Sequence, residues 1–221
     1  MANETWRSEL FRAARANLVP GLLLQAVAIG LVASYYLIPA LRPTWDALAR
    51  LKIGGGYWYA AIATALFAAL IPTAIEAVRG RWTGQRRWRQ LIALSVFWAW
   101  KGVEVDLLYR MQAVWFGDGH DAGTIALKVV VDQFIYNPLW AAWTCVLCYR
   151  WMDAGCSWST FRAGLDRSVW TRTIPTVLFS TWVVWVPAVA IIYCLPLPLQ
   201  VPLFNLVLCF WVLMLAMLAR R

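Results

Sequence analysis

The stretch TIPTVLFSTWVVWVPAVAIIYCLPLPLQVPLFNLVLCFWVLMLAMLA, Thr173 to Ala219, runs for 47 residues without a charge. As a single helix it would be roughly 70 Å long, over twice the hydrocarbon thickness of a bilayer. The chain has to turn inside it, and Pro196 and Pro198 mark the place. Two apolar helices follow, near 173–195 and 199–219, with Pro175 and Pro187 shaping the first of them.

Upstream, Asn17 to Leu41 gives 25 residues without a charge and Ile53 to Ile75 gives 23, each enough to cross a bilayer core of about 20 helical residues. Ala61, Ala65 and Ala69 recur every fourth residue, a spacing that lets a second helix come close. Two further segments, near 90–116 and 122–149, are apolar but interrupted by charge, and Asn137-Pro138 should bend the second. The fold expected is all-α: one polytopic transmembrane bundle of six helices over 17–221. It is preceded by a segment, 1–16, in which Trp6, Leu10, Phe11 and Ala14 make an apolar stripe suited to the membrane surface.

Composition agrees. The 221 residues are 62% hydrophobic and 14% charged, against about 25% charged in an ordinary soluble domain. So little charge could not cover a soluble surface of this size. Many of the sixteen Trp, among them Trp45, Trp58, Trp88, Trp115, Trp151 and Trp170, sit at the ends of apolar runs, where indole rings favour the headgroup level.

The net charge of +9 is topological rather than a nucleic-acid footprint, because the basic residues lie in short loops between apolar runs. With six spans, the N-terminus, the 76–89 loop, the 150–172 loop and the C-terminus share one side and hold 14 Lys and Arg. The 42–52, 117–121 and 196–198 loops hold 3. Both termini are therefore expected on the cytoplasmic or equivalent side, with RGRWTGQRRWR (79–89) as the strongest anchor. The first apolar run is too long for a signal-peptide core, and Glu4 and Glu9 argue against a transit peptide. Arg outnumbers Lys 17 to 3. A bacterial cytoplasmic membrane is favoured, with a mitochondrial inner or peroxisomal membrane as the alternative.

The chemistry-bearing residues are the charges inside the helices. Intramembrane charge is costly and generally faces a partner or a wet cavity. Lys101 and Glu104 share one face of the third segment, and Asp106 and Arg110 share a nearly opposite one, so that segment should be central. Lys128 and Asp132 are again four apart, so every acid has a basic neighbour and the six charges sum to zero. Gln133, Gln200 and Asn205 add neutral polar groups. No metal or cofactor motif is present: the DGHD loop (118–121) with the single His120 reads as a solvated turn, and Cys145-x-x-Cys148 as one turn of a membrane helix. Asn3-Glu4-Thr5 is a formal sequon at the terminus placed inside.

Spaced residues over 89–219 carry a resemblance. Arg89, Gly102 and Tyr109 come first, then KVVVDQFIYNP with Lys128, Asp132, Gln133 and Pro138, then Trp185, Pro187, Pro196 and Trp211. In these the chain resembles the Mpv-seventeen family, which includes mitochondrial inner-membrane proteins and the twenty-two-kilodalton peroxisomal membrane protein. It departs from the family pattern at Val103, Val186, Ile191-Ile192 and Gln200, and in the first helix. The resemblance implies a small-solute channel or pore, in a family often described with four spans.

Three functions are weighed. The first is a channel of weak selectivity, since filters that select strongly use rings of one sign. The second is a structural or accessory membrane protein whose charges are closed pairs. The third is a lipid-acting enzyme, for which no nucleophile–base spacing or phosphate loop is present. The chain is read as a non-enzyme without cofactors. Its partners are the lipid bilayer, small solutes and further copies of itself, and not nucleic acid.

Overall fold

The computed structural model describes residues 2–80 and 87–218, with the side chains of residue 15, of 18–80 and of 87–213. The apolar stripe of 1–16, the sequon, the centre of the basic 79–89 loop and the C-terminal arginines fall outside the described side chains. All regular structure among the described residues is helical. The order is α1 (Ala2–Leu37), a 3₁₀ turn (Pro39–Leu41), α2 (Arg42–Ala65), α3 (Ile71–Val78), α4 (Arg87–Phe116), α5 (Ala122–Val130), α6 (Ala142–Asp153), α7 (Trp158–Ala163), α8 (Ile174–Ile192) and α9 (Leu197–Leu218).

Among the described residues, three helical courses are long and apolar enough to cross a membrane: Leu18–Leu37, Pro39–Val78 and Val169–Ile192. The described part of the last helix, Leu197–Leu213, is apolar but shorter. Outer faces carry large exposed apolar side chains, such as Leu22 and Leu23 on α1 and Trp58 and Ile62 on α2.

Three prolines govern where the helices widen. π-helical turns occupy Leu66–Leu70, Val131–Ala141 and Val169–Thr173, and they precede Pro72, enclose Pro138 and precede Pro175. Proline lacks an amide hydrogen and its ring collides with the carbonyl one turn back. A π turn inserts a residue there and relieves the collision without ending the helix. The bend foreseen at Asn137-Pro138 thus takes the form of an eleven-residue π stretch inside a continuous helical course, 122–153.

The stretch 42–52, expected as a loop, is helical. Pro43 lies in the first turn of α2, a position where its fixed φ suits a helix. The break comes later, at Gly56, where φ is +50° and ψ −129°, a conformation open to glycine and strained for other residues.

The hub of the bundle is α9 rather than the segment containing Lys101. Leu199 through Asn205 are all buried, together with Val207, Leu208 and Trp211. Around them pack Leu24 and Ala28 of α1, Val105 and Tyr109 of α4, and Val184, Val189 and Ile192 of α8. On α4 an exposed stripe of Val96, Trp100, Leu107 and Val114 lies between its two charged faces. A helix can therefore be polar on two sides and still present a third, apolar side outward.

The tightest helix crossing uses Gly102. A Cβ built there would lie 2.3 Å from the Ala60 carbonyl oxygen and 2.4 Å from Thr64 Oγ1. The close approach of α2 and α4 brings this glycine against Ala60 and Thr64.

Candidate functional site

Most of the interior polar groups among the described residues fall into four clusters. The first joins α2 to α4. Lys52 Nζ lies 3.0 Å from Asp106 Oδ1, and Arg110 Nε donates to Asp106 Oδ2 at 3.2 Å. Lys52 and Asp106 are both buried, while the Arg110 side chain is 41% exposed over the Tyr57 ring. Lys52 also donates to the Gly56 carbonyl at 3.4 Å, which the break in α2 frees from the helical ladder. Sequence spacing found Arg110 and missed Lys52, which had been assigned to a loop. Its position four residues before the third glycine of Gly54–Gly56 was the available signal.

In the second cluster Lys101 Nζ donates to Glu104 Oε1 at 2.7 Å, and the Tyr136 hydroxyl donates to the same oxygen. Three rings, Phe97, Trp100 and Tyr136, lie within 6 Å of the Lys101 ammonium. This cation–π cage supports the charge of a buried ammonium. Glu104 Oε2 is buried without a hydrogen-bond partner.

The third cluster surrounds Asp132. Its Oδ2 accepts from the Tyr193 hydroxyl at 2.6 Å and its Oδ1 from Gln133 Nε2 at 2.7 Å. Asn137 Nδ2 donates to Gln133 Oε1, and Trp182 Nε1 donates to the Gln133 carbonyl. The expected Lys128–Asp132 pair does not form: among the described residues no cation lies within ion-pair distance of Asp132. Lys128 is buried and stands instead over the Tyr193 ring, 5.9 Å from its centroid. A spacing of four brings two side chains to one face, but α5 passes into the π stretch at Val131, which turns Asp132 away from the register of Lys128. The interior tally changes too. With Lys52 added to the six charges singled out from sequence, the seven sum to +1 rather than zero.

The fourth cluster is neutral. Thr64 Oγ1 donates to Asn205 Oδ1 at 2.8 Å, and Gln200 Nε2 donates to the Leu195 carbonyl at 2.9 Å, closing the turn between α8 and α9. Gln200 and Asn205 therefore serve separate contacts. Gln112, fully buried on α4, has neither side-chain polar atom hydrogen-bonded.

Between α4, the π stretch with α6, α8 and α9 lies a cavity of about 540 Å³. Lys101, Asp132, Gln133 and Asn137 form part of its wall. The remainder is largely aromatic and aliphatic, including Tyr149, Trp185, Phe204 and Trp211. Ser180 also lines it, and its buried hydroxyl has no partner. Of the nine residues singled out from sequence, three line this cavity. Glu104 reaches it only through Lys101 and Tyr136. Asp106, Arg110, Lys128, Gln200 and Asn205 do not line it.

The DGHD turn acts as a helix start. Asp121 accepts from the Gly123 and Thr124 amides and from Thr124 Oγ1, capping α5. These bonds, the Thr124 hydroxyl foremost, hold its carboxyl below the usual aspartate range. His120 Nδ1 lies 3.1 Å from the Tyr193 carbonyl. Among the described residues no three His, Cys, Asp or Glu side chains group as a metal site. The sequence matches no family model, no curated protein and no solved structure.

Proposed function

We propose that the chain is a polytopic membrane protein of six spans that passes small solutes with weak selectivity through the cavity between α4, α6, α8 and α9. The observation that carries this is the cavity itself, walled in part by these helices and bearing Lys101, Asp132, Gln133 and Asn137 on a largely apolar wall. Polar side chains set into such a wall are costly to keep unless something polar visits them. Further support comes from the resemblance to the Mpv-seventeen family. Five of the residues that carry it, Tyr109, Asp132, Gln133, Trp185 and Trp211, line this one cavity.

In this arrangement the six spans are α1, α2 with α3, α4, α5 with α6, α8 and α9. Both termini and the basic loops lie on the cytoplasmic or equivalent side. A bacterial cytoplasmic membrane fits best, with an organelle membrane as the alternative.

The test is a planar bilayer holding the purified protein, with current recorded under salt gradients. Discrete conductance steps altered by Asp132→Asn support the pore. A silent bilayer with folded, inserted protein overturns it and favours a structural or accessory role. The closed geometry of Lys52–Asp106–Arg110 and Lys101–Glu104 speaks for that second reading.

A further inference from the structure

The cavity wall has an unusual charge balance. Lys101 is neutralised at 2.7 Å by Glu104. Asp132, 6% exposed, meets only neutral donors, the Tyr193 hydroxyl and the Gln133 amide. A buried carboxylate without a countercharge is expensive, and a bound cation would remove the cost. The rest of the wall mixes aliphatic side chains with aromatic residues, Trp98, Tyr136, Tyr149, Trp185, Phe204 and Trp211 among them. Ring faces attract cations, and together with a carboxylate they form the kind of wall that holds an ammonium carrying apolar substituents. A volume near 540 Å³ lies within the roughly 300–1,000 Å³ range of small-molecule sites.

We propose that this cavity binds an organic cation, an amine or quaternary ammonium on an apolar body, with its charge against Asp132 and its body among the rings. The Ser180 hydroxyl, buried and unpartnered on the same wall, is available to a hydrogen-bonding substituent of the ligand. The proposal deepens the pore reading by naming a solute class and rests on that reading for passage across the membrane. Binding itself does not require it.

The experiment is equilibrium dialysis of radiolabelled benzyltrimethylammonium at pH 8. The full-length protein is held in nanodiscs of zwitterionic lipid, with empty nanodiscs as the blank. The expected result is saturable binding above the blank, displaced by unlabelled benzyltrimethylammonium but not by benzyl alcohol or benzenesulfonate. Asp132→Asn should weaken it at least tenfold. Glu104→Gln, which leaves the Lys101 charge uncompensated beside the cavity, should weaken it as well. Binding no greater than the blank, unchanged binding in Asp132→Asn, or equal displacement by benzenesulfonate overturns the proposal. Should Asp132→Asn fail to fold, the ranking of cation, neutral and anion on the unaltered protein still decides. Binding without conductance in the planar bilayer keeps the cation site and removes the pore. Conductance without binding does the reverse.

Discussion

Lys52 is the residue on which most depends in the first half of the chain. Its ammonium meets Asp106 and the carbonyl freed at Gly56, so one side chain ties a helix break to a neighbouring helix. Removing Lys52 leaves Asp106 with the half-exposed Arg110 as its one cationic partner, so the loss should fall below the about 3–5 kcal/mol of orphaning a buried charge outright. Lys52→Met should still lower the unfolding midpoint in detergent, while Lys52→Met combined with Asp106→Leu should recover much of the loss. At the other charged site, exchanging Lys128 and Asp132 should not restore stability, because the two are not partners. A double variant as stable as the parent would contradict the geometry. Asp121 gives a pH dependence of known sign. Its carboxyl is lowered on folding, so its contribution is complete above the ordinary aspartate value and is lost as pH falls through the lowered one. Thermal melts between pH 6 and pH 2 should show a smaller acid-side loss in Asp121→Asn than in the parent, since Asp166, lowered by its own hydrogen bonds, still contributes in both.

At the scale of elements, hydropathy and proline positions located the helices well. The observed α4 (Arg87–Phe116) covers the expected 90–116, and the turn before α9 falls at Tyr193–Pro196. What spacing could not foresee was the effect of π turns on register. Lys128 and Asp132 look paired in any regular helix, and only the widened turn beginning at Val131 separates them. Lys52 was hidden for a related reason, since a lysine beside Arg50 and three glycines reads as loop chemistry until its partner 54 residues away is seen. The cavity was legible only in part: Lys101, Asp132 and Gln133 were found, whereas Ser180 and the aromatic wall come from four helices that no local pattern connects. Gly102 offers a direct check on the α2–α4 crossing. Gly102→Ala places a methyl group against the Ala60 carbonyl, within a distance real Cβ atoms essentially never show. The helices must part, and the Lys52–Asp106 pair is opened with them. Hydrogen exchange should rise at Ala60 and Thr64 first.

For the molecule as a whole, the six-span arrangement makes a prediction about sidedness. Single cysteines placed in the 79–89 and 150–172 loops of a variant freed of its five native cysteines should be labelled from the same side of sealed vesicles. A cysteine at 118 should be labelled from the other. Labelling of 118 from the same side as the basic loops would remove at least one span.

The Lys52–Asp106 contact has a further consequence in time. Ribosomes add about 5–20 residues per second. The 54 residues between the two partners therefore take about 3–11 seconds to emerge. If insertion keeps pace with synthesis, the second segment spends that interval with an unneutralised lysine in its first half. It must wait at the edge of the translocation channel, or borrow an acidic group there, until the segment bearing Asp106 arrives. The two segments then enter the bilayer as a joined hairpin, and a ribosome stalled between them should leave the first of the pair extractable by alkali.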